Sequence, residues 1–158
     1  MSRSLRSPRW AWVTLGLAGL ALFGCGGSQQ LGNPQVPLVR GAQVLKQIRR
    51  CDEGSNAFCS LAMVLISPLY KSSGDFLVAE RKHLRQLGWT LQAGEIGQER
   101  SAVSPGHKLR IVYATAAGDL LALDQQWIKR PSPIGETLSR TLFAGLPAIS
   151  LMVEAGPA

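Results

Sequence analysis

The sequence predicts an α+β domain, an antiparallel sheet with helices on one face, preceded by an N-terminal helix. Three observations lead there. The run Phe58 to Ser67 is apolar on both alternating faces, as a strand covered by other elements requires. A helical stripe that ends at Gly88 gives way at once to the alternation of Trp89, Leu91 and Ala93. Two more apolar runs, Leu109 to Thr115 and Ala148 to Val153, flank a region of helical spacing broken by Pro131-Ser132-Pro133.

Taken in order, Pro37 can open a helix at its first turn, and Leu38, Ala42, Leu45 and Ile48 repeat at helical spacing through Arg50. Phe58 to Ser67 is the central strand. Ser72 precedes Asp75 by three positions, a capping-box pattern, and a helix follows to Leu87 with Phe76, Leu77, Leu84 and Leu87 on one face. Gly88 ends it, because glycine adopts a left-handed conformation at little cost. Gly94 to Lys108 reads as a long hairpin connection with a turn at Ser104-Pro105-Gly106 and an extension of the strand near Ile96. Leu109 to Thr115 is the return strand. Asp119 can cap a helix over Leu120 to Ile128, while a strand over Leu120 to Leu123 fits nearly as well. Ile134, Leu138 and Leu142 mark a further helix to Gly145. After the first helix, this order matches the split βαβ, ferredoxin-like arrangement.

The N-terminus tells a separate story. Arg3, Arg6 and Arg9 precede an uncharged, largely apolar run from Ala11 to Gly24. A positive start and an apolar segment too short to span a bilayer is the layout of a secretory signal peptide. The run ends at Leu22-Phe23-Gly24-Cys25, which resembles the lipobox of bacterial lipoproteins, with Phe23 where that family usually has a small residue. The resemblance implies attachment of a diacylglycerol, carrying palmitate-like chains, to the Cys25 thiol and cleavage just before that residue. It also implies a place on the outer side of the bacterial cytoplasmic membrane. Residues 1–24 are then a removed signal peptide, 25–36 a Gly/Ser/Gln-rich tether, and 37–158 a single domain. The general style is similar to that of small lipoproteins of high-GC Gram-positive bacteria.

The formal charge of +7 falls to +4 once the three arginines of residues 1–24 are set aside. An exported, mildly basic domain points away from nucleic acid and toward anionic headgroups, cell-wall polymers or another envelope protein. With Cys25 assigned to lipid, Cys51 and Cys59 remain as an even pair in an oxidising compartment, across the polar turn Asp52 to Phe58. A disulfide is the expectation; the spacing is not that of a redox C-x-x-C pair or of a zinc site.

The chain carries no G-x-S-x-G, H-E-x-x-H, S-x-x-K or C-x-x-C pattern. Glu80 and His83 share a helix at a spacing that suits acid–base work or a buried polar contact, and Asp119 and Asp124 could pair as carboxylates or serve capping and solvation. Trp89 and Trp127 read as core residues. Arg81, Lys82 and Arg85 form a basic stripe able to meet an anionic surface. No catalytic residue, cofactor or metal is assigned. The expected function is a membrane-anchored binding or interaction module, with carriage of a small apolar ligand as the alternative and an enzyme behind both.

Overall fold

The computed structural model describes residues 34–51, 59–93 and 99–155. In chain order the elements are β1 (Gln43–Cys51), β2 (Cys59–Ile66), α1 (Ser73–Gln86), β3 (Thr90–Ala93), β4 (Arg100–Val103), β5 (Leu109–Thr115), α2 (Ala116–Asp124), α3 (Ser132–Phe143) and β6 (Ala148–Ala155). The six strands form one antiparallel sheet in the order β1-β2-β6-β5-β4-β3. The fold is therefore α+β, as the sequence predicts.

The doubly apolar run became β2, and its period of two sorts the core into two layers. Leu61, Met63 and Leu65 face α1 and pack with Phe76, Leu84, Trp89, Ile111, Tyr113 and Leu151. Ala62 and Val64 face the other way, against Ile134 and Leu138 of α3 and Ala116 of α2. Each large apolar side chain so buried contributes roughly 1.5–3 kcal/mol.

α1 starts on a side-chain cap: Ser72 Oγ accepts the Asp75 amide at 3.1 Å and its hydroxyl donates to the Asp75 carboxylate at 2.8 Å, in place of the backbone bond that would complete a capping box. Its end is a Schellman motif. Gly88, at φ +80°, donates to Arg85 O and Trp89 to Leu84 O, both at 3.0 Å. That turn delivers Trp89 into the core and starts β3.

Three expectations are corrected. The helix over Pro37 to Arg50 is instead an extended segment, with Val36, Leu38, Val39 and Ala42 packed on the α1-side core, followed by strand β1. β1 is an edge strand exposed at almost every residue, so it shows little alternation of apolar and polar side chains. A register irregularity between Val44 and Lys46 breaks the period as well. The helical spacing of Leu38, Ala42, Leu45 and Ile48 was a coincidence across two segments.

Helices also cover both faces, not one. The reason is topological: β5 and β6 are antiparallel neighbours, so their connection leaves and returns at the same end of the sheet. An α2–α3 hairpin makes that round trip, and it lies opposite α1. Finally, the order is not the ferredoxin-like one, because the connection read over Gly94 to Lys108 contains β4. With β4 in place, β3, β4 and β5 form a three-strand meander. The proposed extension near Ile96 falls outside the described residues.

Candidate functional site

On the α3 side, the sheet is unevenly covered. α3 packs over β1, β2 and β6, while the stretch toward β4 presents Ser150, Met152 and Glu154 of β6, Arg110 and Val112 of β5, and Ser101 of β4. The α2–α3 connection arches over part of this surface and places Arg130 above Met152, Nη1 standing 3.6 Å from its sulfur. The remaining space is a cavity of about 230 Å³, lined among others by Glu99, Arg110, Lys129, Arg130 and Glu154.

Arg130, Glu99, Asp119, Arg110 and Glu154 are paired here, with Arg130 and Asp119 the most desolvated, while Lys129 is exposed at the rim. Arg130 Nη2 donates to Glu99 Oε1 at 2.7 Å and to Asp119 Oδ1 at 3.0 Å. The Arg130 side chain is only 3% exposed and that of Asp119 0%. Asp119 Oδ2 has no hydrogen-bond partner. Burial pushes the Asp119 pKa up, and the charge of Arg130 pulls it back. Across the cavity Arg110 pairs with Glu154 at 3.6 Å. Burial raises the Glu154 pKa too, against the attraction of Arg110 and Arg130. The lining hydroxyl of Ser101 donates to Gln92 Oε1 at 3.2 Å.

Such a cavity offers carboxylates beside guanidinium groups. It suits recognition of a small polar group or a partner's charged side chain, and it would charge a steep desolvation cost to an apolar guest. Among the described residues, no three His, Cys, Asp or Glu side chains gather closely enough to hold a metal ion.

A second polar cluster lies under α1. Glu80 is fully buried, accepts the Val39 amide through Oε2 at 2.9 Å, and leaves Oε1 unpartnered. Burial raises its pKa to about 7, with the Val39 bond acting against the shift. Tyr113 sits nearby; burial pushes its pKa up and Arg81 pulls it down.

The sequence-named residues fall as follows. Cys51 and Cys59 form a disulfide and stand directly opposite each other in the β1–β2 ladder. The residues between them, like Cys25 and the segment around it, lie outside the described residues. The basic stripe is divided: Lys82 and Arg85 are exposed, while Arg81 is half-buried beside Tyr113. Glu80 bonds Val39 rather than His83. Asp119 is locked to Arg130 and does not pair with Asp124, which is exposed. Asp119 is also not the cap of α2, a role taken by Thr115, whose Oγ1 accepts the Gly118 amide at 3.1 Å. Trp89 is buried as expected, whereas Trp127 is 52% exposed. Sequence reasoning missed Glu99 and Arg130. The one signal was a charged pair, Lys129-Arg130, set directly before Pro131.

Comparison with protein-family models, with curated proteins and with solved structures finds no match for this chain.

Proposed function

We propose that this chain is a cell-envelope lipoprotein, anchored by lipid on Cys25 outside the cytoplasmic membrane, whose α+β domain works as a binding module. The observation that carries the anchor is the basic start, the apolar run and Leu22-Phe23-Gly24-Cys25 in sequence. The Cys51–Cys59 disulfide supports it, since such bonds form and persist in oxidising compartments. The charged cavity favours recognition of polar groups over carriage of an apolar ligand. Both apolar faces of the sheet are already filled by Phe76, Leu84 and Trp89 on one side and Ile134 and Leu138 on the other.

Anchoring concentrates the cavity at one surface and raises its effective concentration for neighbours there. The direct test is metabolic labelling with an alkyne fatty acid in a bacterial host, comparing wild type with Cys25→Ala. Label on the wild type alone is expected; equal label on both removes the anchor. A photo-cross-linking residue at position 129, at the cavity rim, is expected to capture an envelope partner, and one at Val78 on the outer face of α1 is not.

A further inference from the structure

Three connections meet at one end of the sheet. Ser67 donates to Pro147 O at 3.2 Å, the Ala148 amide donates to Ser73 Oγ at 2.9 Å, and the Tyr70 hydroxyl reaches Arg40 O at 3.4 Å. The start of β1 joins them, because Gln43 pairs with Ile66 and Ile66 with Ala148. This end collects exposed apolar side chains. Phe143 is 91% exposed and Leu69 62%, and Val44, Leu45, Leu142 and Leu146 are each nearly half exposed. An aromatic ring left almost wholly in water at the last turn of a helix is costly unless something covers it.

The charge around these residues selects the cover. The segments 40–46, 67–75 and 140–148 carry Arg40, Lys46, Lys71 and Arg140 against one carboxylate, Asp75, which is engaged by Ser72. A self-complementary contact between two copies would set these like charges against one another. Apolar side chains ringed by cations instead match an interface of acyl chains beneath anionic headgroups. The length of the preceding chain agrees. Eight residues separate Cys25 from Pro34, nine steps with a reach of at most about 30 Å, comparable with the length of the central strands.

We propose that this end of the sheet, with Phe143 and Leu69 at its tip and Arg40, Lys71 and Arg140 around them, docks onto an anionic phospholipid bilayer. The inference takes from the proposed function only the membrane's proximity. Docked in this way, the domain turns the Arg110–Glu154 end of the charged cavity away from the lipid, since both residues lie toward the opposite end of their strands.

The test uses the full chain isolated with its acyl groups and reconstituted into phosphatidylcholine vesicles with or without phosphatidylglycerol. Phe143→Trp places an indole at the tip, and lipids brominated on their acyl chains quench it if it enters. Emission of the unsubstituted chain supplies the background from the native tryptophans. In anionic vesicles the added emission should be at least halved. Arg40→Glu with Arg140→Glu should lower the docked fraction about tenfold, while Lys82→Glu with Arg85→Glu on α1 should leave it unchanged. Thermal unfolding of each variant checks the fold.

An acylated chain that floats with the vesicles while position 143 stays open to iodide overturns docking and leaves the anchor standing. Quenching without any acyl group on Cys25 does the reverse. A chain that neither floats nor is quenched overturns both. Protection of position 143 without vesicles, growing with protein concentration, assigns the surface to a second copy and overturns docking.

Discussion

The Val39 amide donates to Glu80 Oε2 across 2.9 Å, so the segment leading into β1 is fastened to the buried face of α1 by a carboxyl group. That carboxyl is costly to ionise. Its pKa is about 7 in the fold, against 4.5 for an ordinary glutamate, and burial is the main cause. The folded state therefore binds more protons than the unfolded one between pH 4.5 and 7. Stability from this group is complete below that window and is lost as pH rises through 7. Glu80→Gln keeps the acceptor for Val39 and cannot ionise. We expect it to flatten the fall in urea midpoint between pH 5 and pH 8, gaining at most about 3 kcal/mol at the upper end. An identical slope in wild type and variant would show that Glu80 is not the group responsible.

Arg130 and Asp119 should behave as one unit. Removing either leaves a buried partner: Asp119→Ala or Arg130→Met alone should destabilise by about 3–5 kcal/mol. Asp119→Ala combined with Arg130→Met removes both charges and should lose less than the two single losses added together. Urea unfolding of the four proteins of the cycle gives the coupling energy directly. Additive losses would mean that Glu99 alone carries the guanidinium.

Removing the bridge should act mainly on the edge of the sheet. For so short a ring, loss of the Cys51–Cys59 bond through Cys51→Ser with Cys59→Ser should cost about 2.5 kcal/mol. Because β1 is exposed at almost every residue, its amides should exchange hydrogen much faster than those of β2 and β6. Uniform loss of protection across the sheet would contradict a local role.

Two glycines with the same backbone sign should differ in cost. At Gly41, φ is +82° and an added Cβ would overlap Leu69 Cδ1, so Gly41→Ala meets both strain and a clash. At Gly88, φ is +80° but the nearest atom, Pro105 Cγ, stands at an ordinary 3.5 Å. Gly88→Ala should cost about 1 kcal/mol and Gly41→Ala more, unless Leu69 swings outward into solvent. Thermal melts of both variants make the comparison.

What could be read in the residues, and what could not, follows from where each element gets its stability. β2, α1 with its Ser72 cap, the Gly88 turn and β5 are local statements: periodicity and caps sit within a few residues of one another. β1 and β4 are not. β1 is held by its ladder to β2 and by the disulfide, and it buries too little to leave an alternating pattern. β4 is four residues long and takes its order from β3 and β5 on either side. The charged cavity was harder still. Glu99, Asp119 and Arg130 lie 11 to 31 positions apart, and each alone resembles a solvated surface charge. Trp127 shows the converse error, since helical spacing put it on an apolar stripe while α2 ends at Asp124, before reaching it.

The position of β6 has a further consequence. Among the described residues it follows every other strand, yet it lies between β2 and β5 and supplies the ladder on both sides. Until it is delivered, β1–β2 and β3–β4–β5 are two separate ribbons, each with an open border of unpaired amides and carbonyls. Joining the two ribbons must then wait for β6, so the contacts that make one sheet of them are long-range and form after either ribbon can pair within itself.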